Sequence, residues 1–370
     1  MPVVPWTSFR LRLPTTRLLP SRRKEPALFP HPRQYRTRRV LMMGTSTEAL
    51  GGVAAVQRVI LDHWRPKSYR LTHLATHVDG DRWRKLATAG RALALLVRAA
   101  VTERPDLVHV HFSARGSFWR KAVFITAASL CGLPVIGHAH AGGFPAFYAA
   151  CPPWRQRTIR WVLNRLDRLV VLTDDWRDFY APLYRRGAPV VLPNPVPFPI
   201  RPPQGAKGPP VMLALGRLGP NKGTYDVLRA IPAVLEHYPD AEFWFGGDGD
   251  VEKVSRLVAA ESWGRQVRLL GWVSGAEKEA ALTRAHVFLL PSYFEGLPMA
   301  VLEAMAFGLP VITTPVGGIP EAVTHAETGL LVEPGNVADL VKAILSLLDD
   351  PARAAALGVA AQRLVRQRYD

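Results

Sequence analysis

The sequence predicts an α/β protein of two Rossmann-like, doubly wound domains, each on a parallel sheet, facing one interdomain cleft. Three observations predict it. A chain of 370 residues is too long for one ordinary domain and suits two. Short β-rich apolar runs alternate with longer amphipathic stretches, the pattern of βαβ units. Between two such series, Pro193 to Pro210 holds eight prolines in 18 residues, and proline suits neither a central strand nor a helix interior. At 48% hydrophobic and 21% charged residues, a wholly disordered or collagen-like chain is excluded.

Taken in order, residues 1–38 are rich in Pro and Arg without apolar periodicity, and read as a disordered basic extension or a mis-chosen start. The first domain, 39–195, opens on the apolar run Arg39 to Gly44. Strands follow at Leu107–Phe112, Pro134–His140, Leu169–Thr173 and Val190–Leu192. A linker is expected over 196–210. The second domain, 211–370, carries strands at Val211–Leu215, Glu242–Phe245, Val267–Leu270, Val287–Leu290, Pro310–Thr313 and Leu330–Val332. The longest charge-free apolar stretch, Ala122 to His138, is broken by Thr126, Ser129, Gly132 and Pro134, short of the roughly 20 apolar residues a membrane span needs.

The net charge of +17 is unevenly placed: +9 over residues 1–39, +11 over 40–195 and −3 over 196–370. An anionic partner of the front half is the natural reading, a membrane surface or an acidic acceptor before nucleic acid. Two cysteines, Cys131 and Cys151, cannot build a disulfide scaffold and suit a reducing cytosol.

The densest chemistry lies in Phe294-Glu295-Gly296-Leu297-Pro298-Met299-Ala300-Val301-Leu302-Glu303. A strand precedes it, and Pro298 suits the first turn of a helix that Gly308 can cap. Glu295 then sits in the strand-to-helix loop, and Glu303 on the helix's second turn. Gly296 and Leu297 stand at the helix start, where outward amides and the helix dipole favour a phosphate. Met299, Leu302, Met305 and Ala306 form the buried face, which leaves Glu303 beside the ligand end, able to accept from vicinal hydroxyls such as those of a ribose. After the domain's first strand, Gly216-Arg217-Leu-Gly-Pro-Asn-Lys222-Gly223 directs two cations at a diphosphate, Arg as a fork and Lys as a point charge. Gly317-Gly318-Ile-Pro-Glu321 offers another strand-to-helix turn of exposed amides.

These motifs, with Thr328-Gly-Leu-Leu-Val332, resemble the retaining GT-B glycosyltransferases of glycosyltransferase family 4. The likeness is dense over about 211–335 and sparser but ordered over 40–195. It implies a nucleotide-diphosphate sugar as co-substrate in the C-terminal domain, with no separate cofactor and no metal, and an acceptor in the N-terminal domain. By the resemblance, Arg217 and Lys222 stabilise the leaving diphosphate, Glu295 contacts the donor sugar, Glu303 binds the ribose, and Gly271-Trp272-Val273 lies against the base. Gly51-Gly52-Val53 resembles the family's glycine loop, and Val135-Ile-Gly-His138-Ala-His140-Ala-Gly-Gly-Phe144 its strand ending in an active-site histidine. That role maps to His140, with His138 its neighbour on the same face. Asn194 matches an asparagine that usually precedes Gly, here replaced by Pro195. Members commonly finish with a helix crossing back onto the N-terminal domain, and this sequence stops about where that crossing starts.

Other patterns compete. His109-x-His111 and His138-x-His140 each put two imidazoles on one strand face, a possible metal set lacking cysteine or carboxylate at ligand spacing. Asp79-Gly-Asp81 and Asp248-Gly-Asp250 look like metal-binding D-x-D pairs, but Arg217 and Lys222 already supply the charge a metal would bring. Arg84, Arg91 and Arg98 form a stripe opposite Leu86, Leu93 and Val97, and Arg155 to Arg168 forms another. They fit a solvated helix face or a helix on anionic lipid. The expectation is a cytoplasmic retaining hexosyltransferase, peripheral on the inner face of the cell membrane. Its acceptor is a glycan or lipid-linked glycan of cell-surface polysaccharide assembly. An epimerase or sugar phosphorylase shares the architecture. A nucleic-acid partner leaves the glutamate pair unexplained and is not expected.

Overall fold

The computed structural model describes residues 37–65, 68–140, 142–199 and 208–370. All but the last two residues of the basic extension, and 200–207 of the proline-rich linker, lie outside the described residues.

The first sheet contains β1 (Arg38–Gly44), β2 (Tyr69–Ala75), β3 (Leu107–Phe112), β4 (Val135–Ala139), β5 (Arg168–Val171) and β6 (Val190–Val191). Its strands are parallel, in spatial order β2-β1-β3-β4-β5-β6. Its helices are α1 (Gly52–His63), α2 (Arg82–Thr102), α3 (Gly116–Leu130), α4 (Phe144–Ala149), α5 (Pro153–Leu163) and α6 (Asp174–Tyr180). The second sheet contains β7 (Val211–Leu215), β8 (Glu242–Gly246), β9 (Val267–Gly271), β10 (Val287–Leu290), β11 (Val311–Thr313) and β12 (Leu330–Leu331). It is also parallel, in order β12-β11-β10-β7-β8-β9. Its helices are α7 (Thr224–His237), α8 (Val251–Ala259), α9 (Gly275–Arg284), α10 (Met299–Ala306), α11 (Ile319–Ala322), α12 (Val337–Asp349) and α13 (Pro351–Arg368).

Strands fall where apolar runs predict them because each is covered on both faces: Val108, Val110, Leu213 and Leu289 are wholly buried. One strand, β2, was not expected. It lies at the sheet edge with Tyr69 and Arg70 exposed, so Tyr-Arg-Leu-Thr-His-Leu-Ala carries no continuous apolar run. Helix α2 corrects a second expectation. Its buried residues are Ala92, Leu96 and Ala100, while Leu86 and Val97 are exposed. Alanines let the helix lie close to its neighbours, which leaves the larger apolar side chains beside the arginines in solvent.

In each sheet the strand order reverses once, between β1 and β3 in the first and between β7 and β10 in the second. The carboxyl ends of strands at such a switch point form the crevice where doubly wound folds take ligands. One continuous core joins the halves, running from Phe112 and Phe144 through Trp176 to Leu297, Leu302 and Met305. Each fully buried side chain of that size contributes roughly 1.5–3 kcal/mol. The end of the chain returns to the start of the linker, where Val196 N donates to Tyr369 O at 2.7 Å. No helix among the described residues is long and apolar enough to cross a membrane.

Candidate functional site

The C-terminal wall is built by two strand-to-helix connections at the β7/β10 switch point. Strand β10 is buried throughout and ends at Leu290, just before Pro291. The loop then carries Glu295 inward, where it is 8% exposed, and α10 begins after Pro298 with no side chain capping it. The first-turn amides of α10 are therefore free to meet an anion. Glu295 Oε1 accepts from Ser292 Oγ at 2.7 Å and from Lys222 Nζ, which a short 3₁₀ turn after β7 delivers. Arg217 is far more exposed and bonds Asp248 at 2.8 Å. Glu303 points from the second turn of α10 and accepts from Lys278 Nζ at 2.6 Å.

The facing wall belongs to the N-terminal domain. Gly51 adopts φ of 120°, which a side chain would strain, and α1 starts after it with no side-chain cap. Two uncapped helix starts, α1 and α10, thus border one cavity of about 360 Å³. Gly51, Gly52, His140 and Asn194 line it on this side. Arg217, Lys222, Val273, Glu295, Gly296, Leu297 and Glu303 line it on the other. Asn194 ties the walls together, its Nδ2 donating to Leu297 O at 3.0 Å, and Glu321 accepts from the Asp174 amide at the start of α6 at 2.9 Å.

His140 does not stand alone. Its Nε2 lies 2.8 Å from Nδ1 of His111, and the rings of His109, His111, His138 and His140 pack with centroids 4.2–5.5 Å apart. Burial pushes His140 down to about 3 and His109 to about 4, and His111 and His138 well below the ordinary imidazole value. All four are neutral at pH 7. Nitrogens of His109, His111 and His138 come within 4.8 Å of one another. A dication there would meet no carboxylate among the described residues and would face the charge of Lys121, which already disfavours a proton on His111. The set suits neutral packing behind His140.

Gly317 and Gly318 do not face the cavity. The Gly318 amide donates to Gly296 O at 2.6 Å, and a side chain at Gly317 would strike Glu295 O. Gly317 itself is exposed, and the turn buttresses the Glu295–Gly296 loop through Gly318. Asp248 and Asp250 also diverge, one on Arg217 and the other on the Tyr225 hydroxyl at 2.6 Å. Sequence reasoning missed Lys278, whose partner Glu303 lies 25 residues on, Arg58, which reaches the cavity from α1, and Ser292, which bonds Glu295 within the same loop. A roomier hollow of about 770 Å³ lies behind Tyr293 and Phe294, between Tyr225, Leu228 and Trp263. Its walls are largely apolar, and its arginine, Arg229, is already bonded to Asp226, so it lacks the donors a diphosphate needs.

Two parallel-sheet domains with their switch points turned on one cleft define the GT-B class of α/β proteins. Residues 37–195 match the family described as Glycosyl transferase 4-like domain, and 199–364 the family described as Glycosyl transferases group 1. The chain belongs to this group 1, GT4-like family of glycosyltransferases. It is 29% identical over 286 residues to glycogen synthase of Mycobacterium tuberculosis, covering 72% of this chain and 66% of that protein. It is 36% identical over 167 residues to a GDP-mannose-dependent monoacylated alpha-(1-6)-phosphatidylinositol monomannoside mannosyltransferase of Corynebacterium glutamicum, covering 43% of each. The chain therefore spans just under two thirds of the first relative and less than half of the second. Among solved structures, Anabaena HepE in complex with UDP-glucose superposes with a TM-score of 0.72 at 19% identity, covering 90% of this chain and 95% of that one. A sucrose-phosphate synthase of Thermosynechococcus elongatus gives 0.71 at 19%, with the same coverage.

Proposed function

We propose that this chain transfers a hexose-type sugar from a nucleotide-diphosphate sugar to an acceptor hydroxyl, with retention of anomeric configuration and without a metal ion. One observation carries the reading: two uncapped helix starts and the cations Arg217 and Lys222 converge on a single cavity that also holds Glu303. The diphosphate lies between Arg217, Lys222 and the start of α10, the ribose hydroxyls donate to Glu303, and the base rests against Val273. The sugar projects toward Glu295 and His140.

Fixed cations and amides stabilise charge as it develops on the departing diphosphate, with no reorganisation at the moment of reaction. The anomeric carbon loses its bond to the diphosphate oxygen, which leaves with the electron pair. The acceptor oxygen bonds to that carbon from the same face and passes its proton to the departing phosphate. Glu295 is held by Lys222 and Ser292, and His140 by its histidine neighbours, so both position the sugar rather than attack it.

The acceptor is a glycan or lipid-linked glycan at the inner face of the cell membrane, in cell-surface polysaccharide assembly. The membrane part of this reading is supported by Trp83, Leu86, Val97 and Val101 on α2 and Trp154 and Trp161 on α5. All are exposed amid arginines, with guanidinium carbons 4.0–5.1 Å from three tryptophan rings. The Corynebacterium relative, whose name places its acceptor on a phosphatidylinositol lipid, supports it too.

The test is a panel of nucleotide sugars read by thermal melting, followed by mass and anomeric-configuration analysis of products. The matching donor at 100 times its Kd stabilises by about 2.7 kcal/mol. Transfer should survive EDTA and lengthen the acceptor. An isomerised or phosphorylated sugar in place of a lengthened acceptor would replace this reading with an epimerase or a phosphorylase.

A further inference from the structure

A second, smaller cavity of about 230 Å³ opens at the switch point of the first sheet. It shares the turn Leu50 to Val53 with the donor cavity, so this turn is the partition between them. On the far side stand Arg120 and Lys121 from α3, His77 after β2, and Ser117. Lys121 is only 3% exposed and has no carboxylate partner among the described residues. Its Nζ donates to Gly44 O at 2.9 Å and to the Thr76 hydroxyl. Arg120 likewise forms no ion pair among the described residues, and its Nε, like His77 Nδ1, is buried without a hydrogen-bond partner. The one carboxylate at the cavity, Asp79, accepts from the Leu50 amide at 3.2 Å and so is engaged with the partition.

Adjacent cations buried without an anion are costly, because desolvation is not offset by a partner. Burial, with the neighbouring Arg120 charge, pushes Lys121 down to about 7; burial lowers Arg120, and burial with the nearby Arg120 and Lys85 charges lowers His77. Every other cation on the cavity walls opposite is already matched by a carboxylate: Lys222 by Glu295, Arg217 by Asp248, Lys278 by Glu303. Arg120 and Lys121 differ from these in having no carboxylate partner among the described residues while standing side by side on a cavity large enough for a ligand.

We propose that this cavity receives a phosphate group carried by the acceptor, held by Arg120 and Lys121 with Ser117 and His77 beside it. The inference rests on the transfer reading and deepens it. The acceptor bears its phosphate on the side of the Leu50–Val53 turn away from the donor diphosphate, while its hydroxyl reaches past Gly52 toward the donor sugar. Two sources share this chemistry, a soluble sugar or polyol phosphate and the phosphodiester of a lipid headgroup.

The experiment titrates inorganic phosphate, then glycerol 3-phosphate, into the full chain at constant ionic strength, with uridine or guanosine diphosphate saturating the donor side. Melting temperature is the readout. Wild-type protein should show saturable stabilisation; Arg120→Gln and Lys121→Met should each weaken it at least tenfold. Arg217→Gln, on the donor side, should leave the phosphate response intact. Lys121→Met replaces a buried cation by an apolar isostere and Arg120→Gln changes a half-buried side chain, so one folded variant is sufficient for the comparison. No saturable response, or equal responses in wild type and a folded variant, overturns the proposal. Sedimentation with phosphatidylglycerol/phosphatidylcholine vesicles then separates the sources. A severalfold loss in Arg120→Gln, with competition by glycerol 3-phosphate, assigns a lipid headgroup; unchanged sedimentation assigns a soluble phosphate ester. If no nucleotide diphosphate or nucleotide sugar stabilises the chain while phosphate does, the transfer reading fails and the anion pocket stands.

Discussion

The two walls of the cleft handle charge in opposite ways. The C-terminal wall keeps its ionised groups and pairs them, with Lys222 on Glu295, Arg217 on Asp248 and Lys278 on Glu303. The N-terminal wall removes charge by burial, in four packed imidazoles, or leaves it unmatched, in Arg120 and Lys121. On the proposed reading, the difference follows from what each wall meets. A diphosphate arriving at paired cations exchanges one anionic partner for another, so the empty site carries no unpaired buried charge. A neutral histidine stack offers hydrogen bonds and shape to a sugar without attracting a second anion to the reacting centre.

The largest test of that contrast is acid. An imidazole whose folded pKa lies below its unfolded value of about 6.5 leaves the unfolded chain holding more protons between those two values. Stability is therefore full above pH 6.5 and is lost as pH falls toward 4. His111 and His138, each 1% exposed and held well below the ordinary imidazole value, should each cost on the order of 1 kcal/mol on going from pH 7.5 to 5.5. His109 and His140, slightly more exposed, add to this, for a total of roughly 3–5 kcal/mol. Denaturant midpoints measured across this range check it. A flat profile would mean that the stack is already charged, and the contrast between walls would collapse.

Next in size is Lys222→Ala, which strips the charged wall of a cation aimed at the leaving group and leaves Glu295 buried without its partner. Turnover should fall at least tenfold, and on the order of 10²–10³-fold if Lys222 acts like a single oxyanion donor. Steady-state kinetics on the matching donor decide it, and a wild-type rate would remove Lys222 from the departure step.

The charged wall was the legible one. Arg217, Lys222, Glu295 and Glu303 lie in two contiguous motifs, and a strand, a glycine and a helix start suffice to say where Lys222, Glu295 and Glu303 point. What could not be read is pairing between motifs: nothing local says that Lys278 on α9 meets Glu303 on α10, or that Gly318 holds Gly296 in place. The neutral wall was legible only in part. His-x-His on β3 and on β4 puts two rings on one face of each strand. Their meeting depends on the register that sets His111 opposite His138, which sequence spacing does not specify. Strand β2 escaped because an edge strand needs no continuous apolar run. The buried side of α2 was misjudged because alanine spacing, not leucine spacing, set its packing.

A smaller effect is expected for Glu303→Ala. Loss of a charge-assisted hydrogen bond to a hydroxyl pair removes about 1.5–3 kcal/mol, some 10- to 100-fold in donor affinity. It should appear in the binding constant more than in turnover, because the ribose is remote from the bond that breaks. Lys278 would be left without its carboxylate, so Lys278→Met in the same background should recover stability but not affinity. Recovery of affinity in the double variant would instead assign the loss to the stranded lysine.

The smallest expected effect concerns the outer face of the neutral wall, where charge is neither buried nor paired. Trp83 is 68% and Leu86 64% exposed on α2, next to Arg82, Arg84 and Lys85. If that face rests on anionic lipid, each cation near the surface contributes about 1 kcal/mol, so one charge removed from several changes partitioning only about fivefold. Arg84→Gln should show that modest loss on phosphatidylglycerol vesicles at low salt and none at high salt, since screening erases the difference. Trp83→Ala should lose binding at both, because an inserted ring acts through apolar area rather than charge. Salt therefore separates two contributions that a single affinity would merge. A Trp83→Ala variant that sediments like wild type at every salt concentration would leave the arginines as a solvated face and locate the membrane contact, if there is one, on another element.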